Sequence, residues 1–375
     1  MTTAAGVWFA PGRANLMGEH TDYNEGFVLP FALAQGVTVA AAARADGLLV
    51  LRSRQLADEP VTVALDSLAP GTAPGWSAYP AGVAWALRAA GYPVRGASVD
   101  IDSDLPVGAG VSSSAALECS VALALCTLSG VQPPRRELAA IAQRAENDFV
   151  GAPTGIIDQS AALLCQEGHA LLLDCATRQT VQVPFRPAAA GVRALVIDTR
   201  VTHALVSGEY AARRAECEQA ARLLGVPALG TVTDPRVLGQ LADPVLRRRA
   251  RHVITDSARA REIAAALLSS AETAASAVET YGFIGKLLLE GHASLRDDFE
   301  VSWPAADVTV AAAVAAGAYG AKMIGGGFGG SVLALVPDGQ AAAVRSAVSA
   351  AFTARGWARP DYLDAVPSPP ARRIS

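Results

Sequence analysis

The chain has 375 residues, a formal net charge of −4 and a hydrophobic fraction of 51%. A chain of this length exceeds the usual size of one domain, so we expect two closely packed lobes. Its 31 Lys and Arg residues form no basic block and are outnumbered by 35 Asp and Glu residues. This balance excludes the electrostatic footprint of a nucleic-acid-binding protein and favours small-molecule partners.

Cysteine usage and the main apolar run indicate the compartment. The five cysteines are scattered, odd in number and without a Cys-x-x-Cys pair, which argues against a disulfide framework and a structural zinc site. The apolar run 26–43 is interrupted by Pro30, Gln35 and Gly36, and acidic residues precede it. It therefore predicts neither a membrane span nor a signal peptide. We expect a soluble cytoplasmic protein with buried thiols and no membrane partner.

The first 102 residues predict a sheet and one helix. Residues 7–10 and 26–43 are typical of strands that flank a polar loop. Frequent Pro and Gly between 60 and 80 indicate turns. An amphipathic helix is predicted at 81–90, and a further strand at 94–102.

Two helical stripes follow. Apolar residues recur at helical spacing over 117–128 and again over 138–149. Residues 151–155, which contain Pro153, break the second stripe. The break places Asp158 on a loop or in a new element.

The remaining chain mixes strands and helices. Residues 192–198 predict a strand, and helices are predicted at 209–224, 257–268, 283–291 and 339–355. A glycine run at 325–330 leads into a strand at 332–336, and the tail from Pro367 is expected to be disordered. Without strict βαβ alternation, the pattern favours an α+β fold. We expect an N-terminal lobe over 1–190 and a C-terminal lobe over 191–375.

Residues 11–23 contain two glycines and a dense polar cluster made of Arg13, Glu19, His20 and Asp22. Fixed donors and acceptors of these types suit a site that binds a polyol. A turn with local side-chain to backbone bonds is the alternative. A metal site is a weaker alternative, because only one His is present.

Residues 106–118 combine glycines and three serines ahead of a helix. Glycines let backbone N–H groups face outward, and the helix N-terminus adds its positive dipole end, so the segment predicts a phosphate cradle. The segment lacks the Gly-Lys-Ser/Thr of a Walker loop, which argues against a P-loop ATPase. It also lacks the closing Gly of a nucleophile elbow, which argues against a serine hydrolase. A glycine turn with a Ser N-cap remains the alternative.

These segments resemble one family. Pro-Gly-Arg-x-Asn-Leu-x-Gly-Glu-His-Thr-Asp-Tyr-Asn is similar to the signature of the galactokinase branch of the GHMP small-molecule kinases. Segments 106–118 and 325–330 resemble the second and third GHMP motifs. The resemblance implies a two-lobed GHMP kinase fold with mixed sheets and packed helices, and an active site in the cleft between the lobes.

The resemblance also implies an activity. It is the ATP- and Mg²⁺-dependent phosphorylation of the C1 hydroxyl of D-galactose, giving galactose 1-phosphate and ADP. Three alternatives stay open: a kinase for a related sugar such as N-acetylgalactosamine, a non-catalytic galactose and ATP sensor, and an NAD-linked oxidoreductase using the glycine run. The oligomeric state is not determined by the sequence, and a monomer is favoured.

The resemblance assigns roles residue by residue. Asp158 and Arg13 become catalytic, and Ser114 and Glu146 become magnesium ligands. The sugar is assigned to Glu19, His20, Asp22 and, within the segment 203–218, Tyr210. The ATP-binding residues are Pro106, Gly108, Ala109, Gly110, Val111, Ser112, Ser113, Ser114 and Ala115.

Overall fold

The computed structural model describes residues 5–106, 108–201, 207–270 and 274–375. Within them the strands form three sheets. The strands are β1 (Ala5–Asn15), β2 (Phe27–Val28), β3 (Pro30–Arg44), β4 (Leu48–Ser53), β5 (Ala57–Ala64), β6 (Gly96–Ser103), β7 (His169–Asp174), β8 (Thr180–Pro184), β9 (Val192–Asp198), β10 (Gly320–Ile324), β11 (Ser331–Pro337), β12 (Asp361–Asp364) and β13 (Arg372–Arg373). The helices are α1 (Ala78–Ala89), α2 (Ser113–Ser129), α3 (Arg135–Arg144), α4 (Ile157–Leu164), α5 (Ser207–Leu224), α6 (Pro244–Ser269), α7 (Ala274–Asp297), α8 (Pro304–Ala315) and α9 (Ala341–Thr353).

The first sheet has the strand order β13-β1-β3-β6-β4-β5. Its long antiparallel pair, β1 and β3, packs under α2. The register of this pair shifts between Pro11 and Arg13. At this irregularity a Cβ on Gly12 would lie 2.6 Å from the Val111 carbonyl oxygen, so only glycine lets the strand approach the loop ahead of α2.

The sheet in the second half of the chain has the order β10-β11-β9-β12, and α8 packs against β10 and β11. A three-stranded sheet, β2-β7-β8, lies beside the first. The larger apolar core is built mostly from the first half of the chain but also includes residues of α6 and α7, and a separate buried cluster that includes Phe299, Val332 and Phe352 lies within the second half. The mixed content confirms the predicted α+β class.

The predicted elements were mostly confirmed but often too short. The helices predicted at 257–268 and 283–291 are parts of α6 and α7, which span 26 and 24 residues. The helix stripe to residue 149 ends as a π-helical turn, Ala145–Val150. The first motif begins inside β1 rather than after it. None of the described helices is both long and apolar enough to cross a membrane.

The prediction that the tail from Pro367 is disordered was wrong. Ser368 donates its backbone N–H to the Ala32 carbonyl at 2.9 Å, and Ala371 donates to Ala162 at 2.7 Å. β13 then pairs with Trp8 and Phe9 at the edge of β1. Its prolines and arginines concealed the strand, because the free edge of β1 supplies the partners that composition does not reveal. The division into lobes at 190 and 191 remains our proposal, with this tail returning to the first sheet.

Candidate active site

The first motif leaves β1 and turns sharply through strained backbone. Gly18 has φ 97°, and His20 has φ 61° in the left-handed region, which a non-glycine residue rarely adopts. The Thr21 hydroxyl donates to the carbonyls of Gly18 and Phe27 at 2.9 and 2.8 Å and fixes the turn. Strain of this kind persists where the surroundings impose it, and it is concentrated at functional sites.

Arg13 joins three of the predicted segments. Its Nε lies 2.8 Å from Asp158 Oδ1 at the start of α4. Its Nη1 donates to the Gly110 carbonyl at 2.6 Å, and its backbone N–H donates to Val111. The side chain is 8% exposed. The structure therefore brings Arg13, Asp158 and the predicted phosphate loop together.

Glu19 is buried and paired. Its carboxylate contacts the ammonium of Lys322 on β10, and both side chains are almost fully buried. Burial raises the pKa of Glu19, an effect that the Lys322 ammonium opposes. No role was predicted for Lys322, since a lone Lys in an apolar strand belongs to no motif.

His20 is a neutral imidazole with a defined tautomer. Burial lowers its pKa to about 3. Its Nε2 lies 3.1 Å from the Gly326 carbonyl oxygen, which only accepts, so Nε2 carries the proton. Its Nδ1 then accepts from the Tyr23 hydroxyl at 2.9 Å. The ring also packs against Phe299, with centroids 4.7 Å apart.

Asp22 lies beside the start of α4. Its Oδ1 accepts the Tyr23 backbone N–H at 3.0 Å, and its Oδ2 accepts that of Ile157 at 3.4 Å. Burial and the nearby Asp158 carboxylate raise its pKa. A Cβ on Gly155 would lie 1.7 Å from Asp22 Oδ2. Only glycine at position 155 therefore leaves room for the Asp22 carboxylate where it lies.

Tyr210 is on α5, with its ring centroid 5.2 Å from that of His20 and 5.6 Å from that of Tyr23. Burial raises the pKa of Tyr210 well above its usual value, so the phenol stays a hydrogen-bond donor. Residues 203–206, the start of the segment that suggested this role, lie outside the described residues, as does Val107.

The predicted phosphate loop leads into the N-terminus of α2. Gly108 and Gly110 have φ of 78° and 69°, and the N-cap residue Ser112 has φ 63°. The Ser112 Oγ is buried and has no hydrogen-bond partner within the described residues. Backbone N–H groups at a helix N-terminus together with such a hydroxyl suit an anion.

Glu146 is buried in the π-helical turn and holds three donors. It accepts from the Ser114 hydroxyl at 2.9 Å, the Thr154 hydroxyl at 2.8 Å and Gln159 Nε2 at 2.8 Å. Burial raises its pKa, and the Asp158 carboxylate adds to this. The two predicted metal ligands, Ser114 and Glu146, thus lie in direct contact.

The glycine run 325–330 closes the site from the second half of the chain. Gly326 accepts from His20, and a Cβ on Gly327 would lie 2.5 Å from the Val301 carbonyl oxygen. Ser331 donates to the Ala109 carbonyl at 2.7 Å, which ties the run to the phosphate loop. Strands, not a helix, lie on both sides of the run, so the dinucleotide-binding pattern does not apply.

These residues surround one cleft of about 490 Å³. Most of the predicted site residues line it: Arg13, Glu19, His20, Asp22, Gly108, Gly110, Val111, Ser112, Ser113, Ser114, Asp158 and Tyr210. Pro106, Ala109, Ala115 and Glu146 do not, and Glu146 reaches the cleft wall through Ser114. Asn15 also lines the cleft and was missed, although it lies inside the first motif. The described residues contain no group of three or more His, Cys, Asp or Glu side chains arranged to hold a metal.

Family models match three parts of the chain. A galactokinase galactose-binding signature matches residues 2–43. The N-terminal domain of GHMP kinases matches residues 78–166, and their C-terminal domain matches residues 274–354. Each match contains one of the three motifs identified above.

Individual known proteins are similar to this chain over nearly its whole length. A galactokinase of Streptomyces coelicolor is 50% identical over 373 residues, covering 98% of this chain and 94% of the relative. One of Mycobacterium tuberculosis is 46% identical over 353 residues, 94% of each chain. The crystal structure of Lactococcus lactis galactokinase complexed with galactose aligns with TM-score 0.91 and 31% identity, covering 99% and 95% of the two chains. Methanococcus jannaschii mevalonate kinase shares the fold at TM-score 0.65 and 15% identity, over 99% of each chain.

Proposed function

The chain belongs to the galactokinase family, whose reaction is the ATP-dependent phosphorylation of D-galactose at C1, and we propose that its cleft performs this transfer with Asp158 and Arg13 at the reacting groups. One observation carries the assignment of roles. Arg13 bonds to the phosphate loop at Gly110 and pairs with Asp158 at 2.8 Å. It therefore stands between an anion-binding end and a polyol-binding end of the same cleft.

The nucleotide end is the loop 108–115 and the first turn of α2. Its outward N–H groups and the unpartnered Ser112 hydroxyl supply donors to the phosphates of ATP. The Arg13 guanidinium adds a permanent positive charge at the same end. Tyr79 on α1 also lines the cleft near this loop.

The sugar end is formed by Glu19, His20, Asp22 and Tyr210. Two carboxylates that accept, and a phenol that donates, match the hydroxyls of a monosaccharide. Galactose in the Lactococcus lactis structure supports the same ligand here. A site built to pair with hydroxyls discriminates against sugars that lack one of them.

In the transfer, the C1 oxygen forms a bond to the γ-phosphorus of ATP as the bond from that phosphorus to the leaving oxygen of ADP breaks. The C1 hydroxyl proton passes to the Asp158 carboxylate. Arg13 stabilises the charge on the transferred group and orients Asp158. Because its carboxylate is tied to a guanidinium, Asp158 contributes positioning and electrostatic stabilisation as well as proton acceptance.

Ser114 and Glu146 fit a bound Mg²⁺. They offer a hydroxyl and a carboxylate in contact at 2.9 Å, beside the phosphate loop. Mg²⁺ is commonly held by one or two protein oxygens together with substrate phosphates, so a larger protein cage is not required. When bound, the ion would neutralise charge on the phosphates of ATP.

The deciding experiment is a steady-state assay of ADP release with galactose, N-acetylgalactosamine and sugars altered at C2 and C4. We expect ATP turnover with galactose above all others. A sensor would bind both ligands without releasing ADP, and a kinase for a related sugar would prefer another member of the panel. We further propose a cytoplasmic monomer, a location consistent with the five free, buried cysteines.

A further inference from the structure

Asn15 lies in the cleft and takes no part in the proposed phosphoryl transfer. It is the last residue of β1, is 1% exposed and lines the cleft. Side chains alternate along a strand, so Asn15 projects from the same face as Arg13, two residues earlier. Its side chain therefore faces the cleft, as that of Arg13 does.

The amide of Asn15 is unpaired. Neither Nδ2 nor Oδ1 has a hydrogen-bond partner among the residues that the structure describes. The other two asparagines of the chain differ: Asn24 donates to the His20 carbonyl at 2.8 Å, and Asn147 exchanges bonds with Thr154. Buried polar groups are almost always hydrogen-bonded, so an unpaired amide in a ligand cleft points to a ligand.

The chemistry of the amide selects the kind of ligand group. An asparagine presents both a donor and an acceptor, and a sugar hydroxyl satisfies both. A phosphate oxygen only accepts, so it would pair with Nδ2 and leave Oδ1 without a donor. A cation would use Oδ1 and leave the Nδ2 donors unpaired. Because both Nδ2 and Oδ1 lack a partner, the amide favours a hydroxyl as its ligand group.

The surroundings of Asn15 also favour the sugar end. Lys322 Nζ lies 3.4 Å from the backbone carbonyl oxygen of Asn15, and the same ammonium pairs with the Glu19 carboxylate. We propose that Asn15 binds a hydroxyl of the acceptor sugar and contributes to the choice of substrate. This inference rests on the proposed function, since it presumes that the cleft takes a monosaccharide.

Two variants test it, Asn15→Ala and the near-isosteric Asn15→Asp, assayed with galactose and with its 2-, 3-, 4- and 6-deoxy forms. Both should lower kcat/KM for galactose by about 10- to 100-fold. For one deoxy sugar, the one lacking the bound hydroxyl, the penalty should vanish. The KM for ATP should stay within about threefold of wild type, because a hydroxyl contact does not involve the nucleotide.

Stability provides a second readout. Removing a structural asparagine would destabilise the protein, whereas the Asn15 side-chain amide has no hydrogen-bond partner to lose among the described residues. Asn15→Ala should therefore leave the Tm of the ligand-free protein unchanged or raised, while it reduces the Tm increase that galactose causes. Asn147→Ala is the matched control: its amide is fully partnered, so any penalty should be equal for every sugar.

The outcomes separate the two proposals. An equal penalty on all five sugars, or an effect confined to the KM for ATP, would overturn the role of Asn15 while wild-type activity on galactose stands. A wild-type protein that does not phosphorylate galactose would overturn the proposed function itself. A lowered ligand-free Tm in Asn15→Ala would assign the residue to folding and would also overturn its role.

Discussion

Lys322 and Glu19 join the two sides of the cleft through a buried ion pair. They are 303 positions apart in the chain, and their side chains are 0% and 2% exposed. The ammonium also contacts the backbone carbonyl of Asn15, and the Glu19 carboxylate accepts the Gly325 backbone N–H at 3.4 Å. One lysine therefore fixes a proposed sugar ligand, the end of β1 and the start of the glycine run.

Replacing Lys322 by Met should destabilise the protein and disturb sugar binding together. Removing one partner of a buried pair leaves an uncompensated carboxylate, which costs about 3 kcal/mol or more in the free energy of unfolding. We expect that loss in denaturant titrations, with a raised KM for galactose. Lys322→Arg should retain more of both properties, because it keeps the charge.

The double variant Lys322→Met with Glu19→Gln is the control for this pair. It removes the orphaned charge, so its free energy of unfolding should recover toward wild type while galactose binding stays weak. If the single and double variants are equally unstable, the ion pair is not the cause of the loss.

Asp158→Asn should separate chemistry from binding. The substitution keeps the shape of the side chain but removes the proton acceptor and the charge that pairs with Arg13. A drop in kcat of about 10² or more is expected, with little change in the KM for galactose. Rapid-quench and steady-state measurements on the folded variant would check this, and an unchanged kcat would remove Asp158 from the chemical step.

The neutral state of His20 predicts how the ligand-free protein responds to acid. Its pKa falls from 6.5 to about 3 on folding. Between these values the unfolded chain binds a proton that the folded protein does not. The linked stability is thus present above pH 6.5 and is lost as the pH falls, by about 2 kcal/mol at pH 5.

The measurement is the difference in unfolding free energy between wild type and His20→Gln across this range. Gln can still donate to the Gly326 carbonyl but does not titrate, so the wild type should lose about 2 kcal/mol more than the variant between pH 7 and pH 5. The difference is needed because burial raises the pKa of Glu19, Asp22 and Glu146, which acts with the opposite sign. Parallel curves would show that His20 is not linked to acid sensitivity.

The sequence was most informative where one short segment carries its own chemistry. The first motif and the phosphate loop were recognised because each combines glycines and polar groups within a few residues, a density that folding alone does not require. Lys322 and the β13 tail were not, because their roles depend on partners hundreds of residues away. Asn15 was overlooked for another reason. Only the structure shows that its side-chain amide lacks a hydrogen-bond partner among the described residues, whereas that of Asn24 has one.

Gly155 offers a test of the sugar end that leaves every proposed ligand unchanged. In Gly155→Ala the new Cβ would lie 1.7 Å from Asp22 Oδ2, so the carboxylate must move away from the Ile157 N–H that it accepts. A displaced ligand of this kind should raise the KM for galactose by about tenfold or more while the KM for ATP is retained. Gly282→Ala, on α7 with no atom of the described residues within 4 Å of the added Cβ, is the matched control and should behave as wild type. If Gly155→Ala binds galactose normally, Asp22 does not need its observed position to hold the sugar, and its assignment as a sugar ligand would fail.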